Sequence, residues 1–372
     1  MTELIKNILN TMCCSCNPFW DTSSPYITIN AREYKIQRLL NENTLSFAYM
    51  VEYQNPINQS RLTEDPNLNK LALKQLICPF GNINSVSSAL KEIENYKSFN
   101  SQYIIKCVDS QVVQTEDGSK MVLMLFPFYQ KGSLQDLINY NLLDGVNQFT
   151  EPEIIRLMVG ICKGLLCLHD PTTREDMGNL SNGMDSVSMT MSEDAASLLD
   201  NTPLEMNFLT SQNNKLDSFI HLNIKPATIL LTDENEPIIS DLGSCLRSER
   251  EIKTDLDLTN LKQWVTNHCN LFYMAPEIIN LKKNSTIDCS VDIWSLGCLL
   301  YSLMFGISPF DREEQINGLP LRHNICKGIF SIPDSKTYSQ KLIAIIKSCL
   351  QVDSIMRPTA SELLTQLQDI PK

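Results

Sequence analysis

The chain has 372 residues, of which 43% are apolar and 20% are charged, and this composition fits a globular protein built as one large domain or two lobes. The formal net charge of −12 argues against nucleic-acid binding, which requires a basic surface. The 13 cysteines are scattered without repeated CxxC pairs, which indicates reduced thiols in a cytoplasmic protein, most of them in the core.

The first 33 residues differ from the rest of the chain. A run of apolar residues at helical spacing predicts an amphipathic helix, and its members are Leu4, Ile5, Ile8, Leu9 and Met12. The cysteines Cys13, Cys14 and Cys16 follow directly, beside Phe19 and Trp20. A thiol cluster next to an amphipathic helix indicates S-acylation on a membrane surface. A helix packed on the domain and a frayed terminus are the alternatives.

The next part of the chain, up to about residue 130, predicts a small antiparallel sheet that carries one helix. Short runs rich in β-formers occur at 34–40, 47–53, 70–77 and 120–126. The segment 87–99 has apolar residues at helical spacing after a serine-rich start, which predicts a helix.

From about residue 131 onward the pattern changes to long helices. The segment 151–169 opens on an acidic residue with Pro152 in its first turn, which is typical of a helix N-terminus. Residues 170–218 have no sustained period and are rich in polar residues, so we expect a surface insertion there. The most apolar run, 294–307, is too short to span a bilayer and predicts a buried helix.

Several residues that could take part in catalysis or ligand binding occur in a characteristic order along these elements. Lys74 lies on a predicted strand and Glu92 on the helix that follows, an arrangement similar to that of the lysine and glutamate that form an ion pair in kinases. Asp241 lies on a tight glycine turn after a short apolar run, which suits a carboxylate presented to magnesium. A lone lysine on a strand usually marks a solvated face, so the weight of the pattern comes from its several members together.

Three further residues continue this order in the C-terminal half. Glu277 in "YMAPEII" and Arg357 before a proline are suitably placed for a buried salt bridge. Asp292 in "SVDIWSLGCLLY" is placed to cap a helix. With these residues in register, the chain resembles a eukaryotic protein kinase.

The segment 258–310 makes the resemblance more specific. It is similar to the Numb-associated kinases, and within them to the branch of myristoylated and palmitoylated serine/threonine kinases with fungal vacuole-membrane relatives. The similarity covers roughly residues 34–367 without the insertion. It implies a bilobal α+β fold, with a small antiparallel sheet and one key helix in an N-lobe (34–130) and a mainly α-helical C-lobe (131–370). In this family the activation segment continues into an extra helix, and "LTNLKQWV" matches its start.

The resemblance also implies ATP and Mg²⁺ as cofactors and a protein as substrate or partner. Lys225 would touch the transferred phosphate, and Asp241 and Thr228 fall at the metal-binding positions. The positions that contact the nucleotide in the family correspond to Asn41, Asn43, Ser46, Ala48, Ala72, Lys74, Glu92, Phe126, Phe128 and Leu230. The acylated N-terminus of the fungal members implies a cytoplasmic protein, peripheral on a vacuolar or Golgi-derived membrane.

The phosphate-binding loop departs from the family pattern. Asn41 and Asn43 occupy the first two glycine positions, and Ser46 occupies the third. Glycine is used there because backbone amides approach the phosphates with no Cβ in the way. Asparagine tolerates positive φ, so the turn can form, but its side chains would crowd a nucleotide and lower its affinity.

The catalytic loop departs further. Asn223 replaces the aspartate that accepts the substrate proton, and Thr228 replaces the asparagine that binds a second magnesium. Leu222 replaces an arginine that usually tethers a phosphorylated activation segment. These changes predict a pseudokinase that acts as a scaffold or regulator. An atypical active serine/threonine kinase and a nucleotide-gated switch are the alternatives.

Overall fold

The computed structural model describes most of the chain, namely residues 25–54, 70–144, 149–173, 217–334 and 337–370. The predicted amphipathic helix, the three cysteines that follow it and all but the ends of the predicted insertion lie outside these ranges. The described residues divide into two compact units. The first contains the residues up to Asn82 together with Val108–Phe128, and the second contains Ile83–Cys107 and the residues from Tyr129 onward.

The first unit is one six-stranded antiparallel sheet with the order β1-β2-β3-β4-β6-β5. Its strands are β1 (Tyr26–Ile29), β2 (Arg32–Asn43), β3 (Ser46–Tyr53), β4 (Lys70–Cys78), β5 (Asp109–Gln114) and β6 (Lys120–Pro127). The four strands expected from the sequence are confirmed. β1 and β5 were not expected, and β1 shows that the sheet begins inside the segment that the sequence assigned to membrane targeting.

One face of this sheet carries the apolar core of the first unit. The core residues are Ile27, Ile29, Tyr34, Val51, Leu73, Leu123 and Leu125, all of them buried. Because side chains alternate along a strand, the neighbours Ala72 and Lys74 on β4 project from the other face. The register pairs Lys74 with Ala48 and Ala72 with Phe126, so these four residues share that face.

The second unit is mainly helical. Its helices are α1 (Ile83–Ser98), α2 (Leu134–Asp144), α3 (Glu151–His169), α4 (Asp255–His268), α5 (Pro276–Ile279), α6 (Ser290–Phe305), α7 (Pro309–Asn317), α8 (Leu321–Lys327), α9 (Gln340–Cys349) and α10 (Ala360–Gln368). Three two-stranded ribbons complete it, formed by β7 (Phe219–Ile220) with β10 (Leu246–Arg247), β8 (Ile229–Leu231) with β9 (Pro237–Ile239), and β11 (Arg250–Glu251) with β12 (Thr286–Ile287). The predicted α+β fold class is confirmed.

Helix α3 has the bounds that the sequence predicted. The carboxylate of Glu153 accepts a hydrogen bond from the backbone N–H of Thr150 at 2.8 Å, which closes the first turn. Along its buried face, a Cβ added at Gly160 would lie 2.4 Å from Pro237, and one at Gly164 would lie 2.6 Å from Ile239. The two glycines therefore allow α3 to approach β9, the strand that leads to Asp241.

Helix α6 is buried along nearly its whole length, as the apolar run 294–307 predicted. No single helix within the described ranges has both the length and the apolarity of a membrane span. The pair α6 and α7 meets these criteria only jointly, by length and composition, and is bent by 67°. Seven of the ten described cysteines are buried, so the expectation that most of the thiols lie in the core is confirmed for this part of the chain.

The predicted pair of Glu277 and Arg357 is a bidentate salt bridge. The two guanidinium nitrogens lie 2.6 and 2.8 Å from the two carboxylate oxygens. The guanidinium also donates to the backbone oxygen of Ser290 at 2.9 Å and lies 5.0 Å above the ring of Trp294. Because the Arg357 side chain is fully buried, its charge depends on these partners.

We therefore expect Arg357→Met to lower the free energy of unfolding by about 3–5 kcal/mol, the cost of breaking a buried ion pair. Equilibrium denaturation in urea measures this quantity. A matched control is Lys253→Met, because Lys253 is 71% exposed and contacts Glu251 at 3.3 Å on the surface. The control should change stability by no more than about 0.5 kcal/mol. Equal effects of the two substitutions would contradict a structural role for the buried pair.

Candidate functional site

The segment His221–Thr228, called the HLN loop below, is held by the carboxylate of Asp292. This carboxylate accepts hydrogen bonds from the backbone N–H of His221 at 2.7 Å and of Leu222 at 2.8 Å. Its Oδ2 also lies 2.9 Å from Nε2 of His169, the last residue of α3. The sequence predicted that Asp292 caps a helix. That prediction is wrong, because Asp292 lies within the first turn of α6 and its side chain binds the backbone of the HLN loop.

The side chain of His221 links the HLN loop to the end of β9. Its Nε2 lies 3.0 Å from the backbone oxygen of Ser240, and its Nδ1 accepts from the backbone N–H of Asn223 at 3.3 Å. These partners place the proton on Nε2. Burial lowers the pKa of His221, against the opposing effect of the Asp292 carboxylate, so the ring is neutral at pH 7.

Asn223 is the residue that the sequence analysis predicted at the proton-acceptor position. Its side chain is only 5% exposed. Among the residues that the structure describes, its Oδ1 atom is buried and has no hydrogen-bond partner. A carboxamide at this place can accept a hydrogen bond from a hydroxyl group, but it cannot take up the proton at neutral pH.

Thr228 uses its hydroxyl group to brace the HLN loop. Its Oγ1 lies 3.0 Å from the backbone oxygens of both Asn223 and Lys225, to which its single proton can be donated. The same oxygen accepts from the backbone N–H of Lys225 at 3.2 Å. This hydroxyl is therefore engaged by the loop and is a poor ligand for a cation.

The segment Asp241–Gly243, called the DLG turn below, follows β9 directly. Asp241 has φ 62° and ψ 62°, in the left-handed region that few non-glycine residues adopt. The preceding Ser240 donates its backbone N–H to the oxygen of Thr228 at 2.9 Å. The β8–β9 hairpin thus brings the residue that precedes Asp241 into contact with Thr228.

A side chain at position 243 would have to displace that of Glu92. A Cβ built on Gly243 would lie 2.9 Å from the Oε2 atom of Glu92 and 3.1 Å from its carboxyl carbon. Glu92 lies on α1 and is 5% exposed. The carboxylate that the sequence singled out therefore packs directly on the DLG turn.

The donor set fits one magnesium ion better than two. No group of three or more His, Cys, Asp or Glu side chains able to hold a metal ion occurs in the described part of the chain. Magnesium commonly binds through one or two carboxylates together with the phosphates of a nucleotide. Asp241 suits that role, whereas the hydroxyl of Thr228 is already engaged.

The predicted phosphate-binding loop lies in the first unit and forms a hairpin, whose pairing has a register shift between Leu39 and Asn41. β2 and β3 pair as far as Asn43 and Ser46, with a two-residue turn at 44–45. Neither Asn41 nor Asn43 has a positive φ, contrary to what the glycine pattern led us to expect. The Oδ1 of Asn41 instead accepts from the backbone N–H of Glu42 at 2.9 Å. The asparagines thus remain in extended strand conformation.

The other predicted nucleotide contacts are distributed over both units. Ala48, Ala72, Lys74 and Phe126 share one face of the sheet, as described above. Phe128 follows β6, with the Arg38 guanidinium 6.0 Å above its ring. Leu230 on β8 and Glu92 on α1 belong to the second unit.

Two residues of α1 that contact the DLG turn were missed by the sequence analysis. Asn95 donates from Nδ2 to the backbone oxygen of Leu242 at 2.8 Å, and the hydroxyl of Tyr96 accepts from the backbone N–H of Leu242 at 3.2 Å. Both follow Glu92 by one helical turn, and residues three or four apart share a helix face. Their spacing from Glu92 was the signal in the sequence from which these contacts could have been predicted.

Comparison with known proteins gives consistent results. A family model described as "Protein kinase domain" matches residues 176–367. The chain is 44% identical over 371 residues to the serine/threonine-protein kinase ENV7 of Saccharomyces cerevisiae, with 100% of each chain covered. The chain belongs to the protein kinase family.

More distant kinases match over most of their length. The chain is 32% identical to the serine/threonine-protein kinase ppk13 of Schizosaccharomyces pombe, over 99% of this chain and 98% of the relative. It is 27% identical to the human serine/threonine-protein kinase 16, over 80% of each chain. The extra helix into which the activation segment was expected to continue corresponds to α4, which contains residues 258–265. Its Trp264 donates from Nε1 to the backbone oxygen of Ser244 at 3.3 Å, directly after the DLG turn.

The neutral state of His221 predicts how stability depends on pH. Unfolding releases the ring to its ordinary pKa of 6.5, so below that pH the unfolded chain binds more protons than the folded chain. We expect His221→Gln to flatten the fall in unfolding free energy between pH 7 and 5, where one proton contributes at most about 1.4 kcal/mol per pH unit. Denaturation curves at several pH values measure the slope. His323→Gln, at an exposed position, is the control and should leave the slope unchanged.

Proposed function

We propose that this protein is a membrane-associated pseudokinase, which holds an ATP-type nucleotide with a single magnesium ion and regulates a protein partner, with weak or no phosphotransfer. The observation that carries the proposal is the amide of Asn223, buried in the HLN loop with an oxygen that has no hydrogen-bond partner among the described residues.

The magnitude of the lost proton acceptor favours a non-catalytic role. General-base help typically contributes about 10²–10⁴-fold, and active kinases turn over at about 1–100 s⁻¹. Asn223 retains the ability to orient a hydroxyl group but cannot accept its proton. The expected rate without the base therefore lies at or below about 1 s⁻¹, even if the transition state is largely dissociative.

The engaged hydroxyl of Thr228 is a second, independent loss. Its bonds to the backbone of Asn223 and Lys225 maintain the conformation of the loop. Threonine has no side-chain amide oxygen that could bind a second cation. A magnesium ion at Asp241 would neutralise charge on the phosphates of a bound nucleotide. Holding a nucleotide in this way does not require the second ion, so nucleotide binding is compatible with the loss of transfer.

A slow serine/threonine kinase is the second candidate function. It is supported by the HLN loop, whose backbone is held by Asp292 at both His221 and Leu222, and by the ordered DLG turn. The relatives compared above are named serine/threonine-protein kinases. In this alternative, Lys225 and Asp241 carry the transfer of the ATP γ-phosphate to the protein itself or to a membrane-trafficking protein.

Restoring the loop chemistry separates the two functions. We expect the double variant Asn223→Asp, Thr228→Asn to raise phosphate incorporation by at least about 100-fold over the wild type, because it supplies both a proton acceptor and a metal ligand. Incorporation of labelled phosphate into the protein and into a serine/threonine peptide pool measures this rate.

The controls for this assay add one substitution on β4 to the double variant, at either of two lysines. Lys74→Met in the double variant should abolish the gained activity, whereas Lys70→Met, at the first residue of the same strand, should not. Wild-type turnover in the range of ordinary kinases, lost in Lys74→Met, would overturn the pseudokinase proposal in favour of the kinase.

The proposed location is the cytoplasmic face of a vacuolar or Golgi-derived membrane, through acylation of the cysteines near the N-terminus. The support is the sequence pattern alone, since Cys13, Cys14 and Cys16 lie outside the described residues.

We expect replacement of Cys13, Cys14 and Cys16 by serine to move the protein from the membrane pellet to the soluble fraction, because stable anchoring needs an acyl chain in addition to the amphipathic helix. Cell fractionation followed by hydroxylamine-sensitive acyl exchange measures both properties. Replacement of Cys326, which is partly exposed on α8, by serine is the control. An unchanged pellet fraction of the triple variant would rule out acylation as the anchor.

A further inference from the structure

The middle residue of the DLG turn has both of its backbone polar groups bound by side chains of α1. Leu242 is completely buried, and so its N–H and C=O groups cannot bond to water. The hydroxyl of Tyr96 lies 3.2 Å from the nitrogen, and Nδ2 of Asn95 lies 2.8 Å from the oxygen. The same oxygen also accepts from the backbone N–H of Cys245 at 3.2 Å, so α1 supplies the shorter bond to the oxygen and a bond to the nitrogen.

The hydroxyl of Tyr96 has a second bond that sets its direction. It lies 3.1 Å from Oε1 of Glu92, an acceptor, so the proton of the hydroxyl points to this carboxylate. Its lone pairs then remain for the N–H of Leu242. Burial, with the nearby charges of Glu92 and Asp241, raises the pKa of Tyr96 well above its ordinary value, so the hydroxyl keeps its proton at all working pH values.

The residue that precedes Leu242 needs such support. Asp241 adopts a left-handed backbone conformation that persists in a non-glycine residue only when its surroundings enforce it. On the other side of Leu242, Gly243 packs against the carboxylate of Glu92. Every residue of the DLG turn is thus either strained or in direct contact with α1.

We infer that Asn95 and Tyr96 are positioning residues, which clamp Leu242 and thereby hold the Asp241 carboxylate in the conformation that receives magnesium. This role rests on the proposed binding of a magnesium nucleotide. The clamp consists of neutral hydrogen bonds inside the second unit. It therefore needs neither an arginine at position 222 nor phosphorylation of the activation segment.

Hydrogen exchange in the nucleotide-free protein tests the clamp itself. Tyr96→Phe removes the acceptor for the Leu242 N–H while keeping the ring, and Asn95→Ala leaves the Leu242 oxygen with only the longer of its two bonds, from the N–H of Cys245. Each should accelerate amide exchange in a peptide spanning residues 240–245 by about tenfold or more. Tyr338→Phe is the matched control, because the Tyr338 hydroxyl also donates to a buried backbone oxygen, that of Phe149 at 3.0 Å. It should lower global stability by a similar amount and leave this peptide protected.

Nucleotide binding tests the positioning role. We expect magnesium to raise the affinity of the wild type for ATP, measured by titration calorimetry with and without the metal. In Tyr96→Phe and Asn95→Ala this magnesium-dependent gain should fall by about fivefold or more, while the affinity for metal-free ATP stays within about twofold. An unchanged gain in both variants would overturn the inference.

The two measurements also separate this inference from the function on which it rests. Wild-type protein that binds no ATP would remove the proposed nucleotide function, and the clamp would then be judged on hydrogen exchange alone. Exchange in the 240–245 peptide that is no faster in the two clamp variants than in Tyr338→Phe would overturn the clamp whether or not nucleotide binds.

Discussion

The buried carboxylate of Asp292 is the interaction on which the rest of the site depends. It binds two consecutive backbone amides, of His221 and Leu222, and lies against the ring of His169. Leu222 has a φ of 65°, a conformation that leucine rarely adopts, so the loop needs an external partner at this point. Removing the carboxylate would leave two buried N–H groups without acceptors, each of which costs about 1–3 kcal/mol.

From this anchor the structure extends in a short chain of hydrogen bonds. The ring of His221 reaches Ser240, and Ser240 binds the backbone of Thr228. Each of these bonds has a backbone atom as at least one partner. The substituted side chains of Asn223 and Thr228 lie within this framework without interrupting it. The framework and the chemistry of the loop are therefore separable, since Asn has almost the shape of Asp and the Thr228 hydroxyl itself braces the loop.

Much of the fold could be predicted from the sequence, because the hydrophobic periods were strong. Helix α3 has the predicted bounds, and the salt bridge of Glu277 with Arg357 is present. The strands β1 and β5 were missed, since one has four residues and the other reads "DSQVVQ", with little apolar alternation. Helix α1 begins four residues earlier than predicted, at Ile83, because a polar first turn carries no period.

The site was less predictable than the fold, since residue type does not reveal which atoms a side chain will bind. Asp292 was expected to serve its own helix and instead serves the HLN loop. Asn41 was expected to accommodate a glycine-like turn and instead bonds to its neighbour within a strand. Tyr96 has the spacing of a core residue, and its hydroxyl group acquires a role only once the chain brings Leu242 beside it.

The clamp on Leu242 has a consequence for synthetic ligands. A compound that requires the Asp241 segment to reverse its direction must first break two buried hydrogen bonds, and its apparent affinity falls with the small fraction of molecules in that reversed state. A compound that accepts the segment as it stands meets no such barrier. Compounds that are found by screening against this protein should therefore be mostly of the second kind, with fast association as their common property.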